Sequence, residues 1–137
     1  MPIFGEDSKA KLATCHPYLR KLFEEVIKEY DCKIICGERN KEDQDKAVAE
    51  GKSKTPYPTS KHNRIPSLAV DVAPYPIDWS EKELRRFYHF GGFVLATAKR
   101  MGINIRWGGD WNGNMDFKDQ NFNDLPHFEL IIEGMKD

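Results

Sequence analysis

The chain has 137 residues, of which 39% are hydrophobic and 31% are charged, and these proportions fit one soluble globular domain covering residues 1–137. The formal net charge of −1 provides no global positive field, which argues against nucleic-acid binding. No apolar run approaches the roughly 20 residues that a bilayer crossing requires, which argues against stable membrane insertion.

The N-terminal segment and the cysteines bear on the compartment. The segment MPIFGEDSKAKL lacks a basic start followed by an apolar stretch, so we expect no secretory signal and synthesis in the cytosol. Cys32 and Cys36 lie on one short extended segment, where four residues span about 13 Å, too far for a disulfide. We therefore predict three free thiols, Cys15 included. A zinc site built on them is the alternative, although the close Cys-x-x-Cys spacing of structural sites is absent.

The first half of the chain predicts a helix, a strand, a second helix and a loop. Pro17 can begin a helix, and an apolar stripe over residues 19–30 follows at helical spacing. Residues 33–36, with Ile34 and Ile35 at their centre, are typical of a short buried strand. A polar helix then ends near Gly51, and three prolines in residues 52–67 indicate a loop.

An acid interrupts the next predicted strand, Leu68–Ala73. Alternation places Asp71 on the same face as Ala69 and Ala73, whose small side chains leave space around the carboxylate. A buried carboxylate is costly unless it is paired or bound to a metal. The position of Asp71 therefore indicates a partner.

The second half predicts one long helix and two further strands. Ser80 and Glu83 form a capping-box pattern, and the helix that follows ends at Gly102. A strand over residues 103–107 leads into a long loop at 108–124, rich in Gly, Asn and Asp, and loops of this length are often functional. The last strand is predicted at His127–Ile132, with His127, Glu129 and Ile131 on one face. This order predicts an α+β fold, with a small, mainly antiparallel sheet and helices packed on one side.

Two histidines can converge on Asp71 if the strands at 68–73 and 127–132 are neighbours. His62 lies in the loop that leads into the first strand, and His127 opens the second. Two nitrogens, one oxygen and an open fourth position describe a catalytic zinc site. The sequence therefore predicts Zn²⁺ on His62, Asp71 and His127.

Three further charged residues complete the predicted site. Asp124, three residues before His127, is the nearest acid that can take a proton from the attacking water and pass it to a leaving amine. Arg39 follows the first strand and can face negative charge that develops on a carbonyl oxygen. Glu129 shares a face with His127 and can orient its imidazole.

These motifs resemble a known enzyme family. The SKH at 60–62, the AVD at 69–71, the DLPHFE at 124–129 and the GER at 37–39 are similar to the zinc peptidases that comprise bacterial D-alanyl-D-alanine carboxypeptidases and phage L-alanyl-D-glutamate endopeptidases. The nine-residue separation of His62 and Asp71 resembles the phage members. The resemblance implies the hedgehog/DD-peptidase fold and zinc on His62, Asp71 and His127. It also implies Asp124 as general base and Arg39 as the group that holds substrate or oxyanion.

Several residues keep two interpretations. Arg39 either acts in catalysis or pairs with Glu38 or Glu42, and Ser60 either binds substrate or caps its turn. Glu129 either supports the metal ligand or makes a structural hydrogen bond. An aromatic cluster around the long loop either covers the core, which we favour, or lines the substrate cleft; its members are Trp107, Trp111, Phe117 and Phe122. His16 and His89 are assigned to structure.

We expect a zinc peptidase that hydrolyses peptidoglycan stem peptides, as a phage or prophage endolysin that cleaves the L-alanyl-D-glutamate bond. The alternatives are a D-alanyl-D-alanine carboxypeptidase, a wall-cleaving glycosidase that uses two carboxylates, and a non-catalytic zinc module. The resemblance further implies synthesis in the host cytoplasm and release to the cell wall through a partner pore of the holin type. A monomer is the default expectation.

Overall fold

A four-stranded sheet forms the centre of the computed structural model, which describes residues 2–113 and 124–132. The strands are β1 (Cys32–Cys36), β2 (Ala69–Pro74), β3 (Ile105–Trp107) and β4 (His127–Leu130). Their spatial order is β1-β2-β4-β3, and every neighbouring pair is antiparallel. The predicted α+β class with an antiparallel sheet is confirmed. The C-terminal strand β4 lies inside the sheet, so residues far apart in sequence become neighbours.

Within the described residues, four α-helices accompany the sheet: α1 (Glu6–Leu12), α2 (Pro17–Glu29), α3 (Lys41–Ala49) and α4 (Leu84–Met101). Helix α1 was not predicted, because it has only seven residues and no side-chain cap at its N-terminus. The predicted start of α2 is confirmed, because Pro17 occupies the first turn and the His16 ring accepts a hydrogen bond from the Tyr18 amide. The predicted end of α4 is also confirmed at Gly102, which adopts φ 74°.

The predicted capping box at Ser80 is wrong. A short 3-10 turn at Glu81–Glu83 precedes α4, so Glu83 occupies the N-cap position of α4 and the Ser80 side chain makes no capping hydrogen bond. Instead, the Ser80 amide donates to Asp78 Oδ1. The expected pattern is realised elsewhere in the chain. Ser60 and Asn63 form a capping box around a second 3-10 turn, Lys61–Asn63, in the segment that was predicted to be loop.

The hydrophobic core lies on one face of the sheet. Phe128 of β4 contacts Phe23 of α2 and Phe90 of α4, with ring centroids 5.6 Å and 6.1 Å apart. Alternation along β4 places His127 and Glu129 on the opposite face, as predicted. The sheet therefore separates an apolar side, covered by α2 and α4, from a polar side that carries the acid and the histidine singled out in the sequence.

None of the three cysteines forms a disulfide, as predicted. Cys15 and Cys32 lie in the core, and burial raises the pKa of each to about 12. Cys36 is only half-buried. Among the described residues, no helix combines the length and apolar character needed to cross a membrane.

Candidate metal centre

Sheet register aligns three potential ligands in one row across the polar face. Cys36 of β1 lies opposite Asp71 of β2, and Asp71 lies opposite His127 of β4. Directly opposed residues of antiparallel strands project on the same side of a sheet. The insertion of β4 beside β2 thus brings His127 to Asp71 across more than fifty residues of sequence.

Asp71 lies between the two predicted histidine ligands. Its Oδ1 atom is 3.2 Å from His62 Nε2 and 3.2 Å from His127 Nδ1. Both imidazoles are buried, and their ring centroids are 5.1 Å apart. The structure therefore places both predicted histidine ligands next to the carboxylate of Asp71, the third predicted ligand.

Two overlapping sets of donor atoms form around Asp71. In one set, atoms of Cys36, His62 and Asp71 all lie within 4.8 Å of one another, and in the other the same holds for Asp71, Asp124 and His127. Imidazole nitrogen, carboxylate oxygen and thiolate sulfur are the donors that Zn²⁺ binds in proteins. The donor chemistry therefore fits a divalent transition metal. In the sequence, a zinc site on the three cysteines was only the alternative, and Cys36 was not singled out as a ligand, because the register that places it opposite Asp71 is not visible there.

The turn that carries His62 fixes the orientation of its ring. Ser60 Oγ accepts a hydrogen bond from the His62 amide, and Asn63 Oδ1 accepts one from the Ser60 amide. His62 Nδ1 lies 2.7 Å from the Gly37 carbonyl oxygen, to which it donates when protonated. This arrangement leaves Nε2 as the nitrogen that faces Asp71, a common support for metal-binding imidazoles.

A buried charge network supports His127 from the other side. His127 Nε2 is 2.7 Å from Glu129 Oε1. The second carboxylate oxygen of Glu129 is 2.7 Å from the Arg106 guanidinium and 3.1 Å from Lys61 Nζ. Burial alone would raise the pKa of Glu129, but His127, Lys61 and Arg106 outweigh it and bring that pKa to about 2. Glu129 therefore remains ionised and can orient the imidazole.

The central residues stabilise one another's charged forms. Burial opposes charge on Asp71, but His62 and His127 outweigh it and hold the pKa of the Asp71 carboxyl well below its usual range. Burial likewise opposes charge on His62, yet Asp71 raises the His62 pKa to about 10. The Asp71 carboxylate is thus paired with two histidines, and this pairing offsets the free-energy cost of burying it.

Asp124 lies beside this cluster, with Oδ2 3.9 Å from His127 Nδ1. Burial, and next the negative charge of Asp71, raise the pKa of Asp124 to about 6. A carboxyl group with a pKa near neutrality can both accept and return a proton, which is the property of a general base that later acts as acid.

Arg39 belongs to the same cluster. One guanidinium nitrogen is 3.3 Å from Asp71 Oδ2, and the other donates to Gln44 Oε1 at 2.9 Å. The acid that pairs with Arg39 is therefore Asp71, rather than either of the two neighbouring glutamates considered in the sequence analysis. Gln44, fully buried on α3, also donates to the Thr55 carbonyl and so ties the 52–55 segment to the site.

A cavity of about 190 Å³ opens beside the histidines and Asp124. Its lining includes Ser60 and five basic side chains: Arg39, Lys52, Lys54, Lys61 and Arg106. Trp111 forms part of the wall, with its ring centroid 5.3 Å from that of His127 and the Arg106 guanidinium 5.5 Å from the Trp111 ring. Trp107, in contrast, is buried and stacks on Phe128. Phe117 and Phe122 lie outside the described residues.

Comparisons with known proteins bear on the family of this chain. The model of the phage L-alanyl-D-glutamate peptidase family matches residues 2–131. The chain belongs to the phage L-alanyl-D-glutamate peptidase family. The L-alanyl-D-glutamate peptidase of Escherichia phage T5 is 33% identical over 136 residues, covering 93% of this chain and 97% of the relative. The crystal structure of the Serratia marcescens L-Ala D-Glu endopeptidase ChiX matches with a TM-score of 0.71 at 26% identity, covering 93% of this chain and 89% of ChiX.

The family assignment confirms the predicted fold and enzyme class. Sequence reasoning missed several residues that surround the centre of this family member, above all Gln44, Lys61 and Arg106. A polar residue inside a polar helix carries no signal of burial, so Gln44 was not distinguishable. Arg106 could have been found, because it lies between the apolar residues Ile105 and Trp107 of a predicted strand.

Proposed function

We propose that this chain is a zinc endopeptidase that hydrolyses the L-alanyl-D-glutamate bond of peptidoglycan stem peptides. The observation that carries the proposal is Asp71, flanked at 3.2 Å by His62 and by His127, in a chain of this family. The two relatives described above, one a phage enzyme and one bacterial, are both named for that bond. The proposal assigns metal binding to His62, Asp71 and His127.

The metal would supply Lewis acidity, which polarises the scissile carbonyl and lowers the pKa of the attacking water. The protein contributes the remaining chemistry. Asp124 accepts the proton of the water and returns it to the amine of the departing D-glutamate, a task that suits a carboxyl whose pKa is about 6. Arg39 places its positive charge where the carbonyl oxygen becomes negative.

The cavity suits an anionic substrate. Among the described residues, five basic side chains line it, together with the two acidic residues Asp124 and Glu129. A stem peptide carries free carboxylates, and the glutamate on the amine side of the scissile bond has one of them. We assign Ser60 to substrate binding at the cavity rim, in addition to its capping of the turn that holds His62.

The biological setting follows from the same proposal. The enzyme is synthesised in the host cytoplasm, acts as a monomer, and reaches the wall when a holin-type pore opens the membrane. The phage family supports this setting.

The test is digestion of purified peptidoglycan, followed by mass spectrometry of the fragments. We expect new amino-terminal D-glutamate, and we expect Asp124→Asn to lose about 10²- to 10⁴-fold in turnover while it retains zinc. Asp45→Asn is the matched control, because Asp45 is an exposed acid paired with Lys41, and it retains activity.

Three outcomes would contradict the proposal. Release of terminal D-alanine indicates a carboxypeptidase, and new reducing sugar ends that are insensitive to chelator indicate a glycosidase. Full effect of the protein on the wall with Asp124→Asn indicates a non-catalytic module.

A further inference from the structure

The thiol of Cys36 lies next to the proposed metal ligands. Its sulfur belongs to a set in which ligand atoms of Cys36, His62 and Asp71 are all within 4.8 Å of one another. Cys15 and Cys32 are buried in the core, whereas Cys36 is half-buried and lines a cavity together with Asp71 and Asp124. Of the three thiols, Cys36 is thus the one directed to the polar side of the sheet.

A β-bulge gives Cys36 this position. Ile34 lies opposite Val72, and a regular ladder would then place Cys36 opposite Val70 on the core face. The register instead shifts between Ile34 and Cys36, so that Cys36 lies opposite Asp71. Bulges next to active sites commonly redirect a side chain in this way. The thiol is therefore turned out of the core and toward the ligands by a specific backbone irregularity.

We propose that the Cys36 thiolate is a further protein donor of the metal centre. The inference rests on the proposed metal site and adds a soft ligand to two imidazoles and a carboxylate. A thiol that binds a divalent cation loses its proton, and the resulting donor favours Zn²⁺ and Cd²⁺ over hard cations such as Mg²⁺.

The Cys36 thiolate binds the metal in the enzyme that has no substrate bound. Asp71 belongs to both sets of donor atoms, so an ion bound by His62, Asp71 and His127 would gain Cys36 as a fourth donor, whereas catalysis needs one position open. Cys36 is the donor that substrate displaces, because the other three are held by the Gly37 carbonyl, by Arg39 and by Glu129, respectively. The hydrogen bond from the Cys36 thiol to the adjacent Gly37 carbonyl, at 3.6 Å, is weak by comparison.

The test uses Co²⁺ as a spectroscopic probe in the full-length metal-stripped protein. We expect visible d–d bands together with a near-ultraviolet thiolate-to-cobalt charge-transfer band in the unmodified protein. Cys36→Ser loses the charge-transfer band and keeps the d–d bands. Cys15→Ala is the matched control, because its thiol is buried in the core, and it keeps both.

Two results would overturn the inference while leaving the proposed function intact: d–d bands without a charge-transfer band in the unmodified protein, or a charge-transfer band that persists in Cys36→Ser. Absence of any cobalt binding would overturn the metal centre and this inference together.

A second measurement needs no variant. Alkylation by iodoacetamide is mapped by mass spectrometry with Zn²⁺ bound and after chelation. We expect Zn²⁺ to slow modification of Cys36 and chelation to restore it, because a metal-bound thiolate is shielded from the reagent. An alkylation rate of Cys36 that is unchanged by Zn²⁺ would contradict its role as a donor.

Discussion

Glu129 is the residue that fixes the His127 ring, and its replacement isolates that role. Glu129→Gln keeps the shape of the side chain but removes the charge that His127 Nε2 faces at 2.7 Å. Partners of this kind raise the basicity of the metal-binding nitrogen, so we expect the affinity for Zn²⁺ to fall by about 10- to 100-fold. Competition with a chromophoric chelator measures this affinity for Zn²⁺.

The matched control for Glu129→Gln is Glu25→Gln, which removes an exposed carboxylate paired with Lys28 on α2. It leaves the affinity for Zn²⁺ unchanged. Equal affinity for Zn²⁺ in Glu129→Gln and in the unmodified protein would show that Glu129 contributes only to the structure.

The buried thiol of Cys32 should make the free energy of unfolding depend on pH. Burial raises the pKa of its thiol from 9.0 to about 12, so the folded state keeps the proton that the unfolded state has lost. The stabilisation is complete below pH 9 and is lost as the pH rises toward 12. Between pH 8 and pH 10 the thiol therefore removes roughly 1 kcal/mol from the free energy of unfolding.

Urea unfolding of the unmodified protein and of Cys32→Ala at the two pH values measures this contribution. The unmodified protein should lose more stability over that interval than the variant, which has no thiol at this position. A parallel loss in both proteins would mean that the Cys32 thiol ionises as readily in the folded state as in the unfolded state.

At the scale of elements, the approach of β3 to the segment before β4 positions Asp124. The Asp124 amide donates to the Gly108 carbonyl, and the Gly108 amide donates to the His127 carbonyl. A Cβ atom on Gly108 would collide with the backbone carbonyl of Asp124. Gly108→Ala should therefore displace the proposed base, and a shift of about 1 Å at such a group can cost about 100-fold in turnover.

Turnover on purified peptidoglycan measures the effect of Gly108→Ala. Gly92→Ala is the control: Gly92 lies in α4, no atom lies within 4 Å of the added Cβ, and alanine in a helix adds about 0.5–1 kcal/mol of stability. Wild-type turnover in Gly108→Ala would show that the position of Asp124 does not depend on this contact.

The long elements could be predicted from the sequence, whereas their arrangement could not. The apolar stripe of α2 and the alternation in β4 are local patterns, and they located the core and placed His127 and Glu129 on one face. The position of β4 between β2 and β3 depends on long-range pairing, and the bulge before Cys36 is an irregularity of one residue. Neither leaves a pattern in the sequence, so Cys36 was assigned to the free thiols and its neighbours were not identified.

At the scale of the whole molecule, the site joins the three strands β1, β2 and β4 and the turn at Lys61–Asn63. A metal that binds only the folded chain should therefore stabilise the entire domain. At a free concentration of Zn²⁺ one thousand times the dissociation constant, the expected gain in the free energy of unfolding is about 4.1 kcal/mol. Calorimetry with and without Zn²⁺ measures it as an increase in Tm.

Histidine variants separate specific stabilisation by Zn²⁺ from general effects of the cation. His62→Gln should lose the increase in Tm, because it removes a proposed ligand. His89→Gln should keep the increase, since His89 lies on α4, where it is hydrogen-bonded to the Tyr30 hydroxyl, away from the site. An equal increase in both variants would point to Zn²⁺ bound elsewhere on the protein.

The most direct test of the central claim is a crystal structure of the active enzyme with anomalous diffraction measured at the zinc edge. The expected result is an anomalous peak for a zinc ion that is bound by His62 Nε2, an Asp71 carboxylate oxygen and His127 Nδ1, with Asp124 beside the ion. A fully active preparation without a peak at these three residues would contradict the proposed centre.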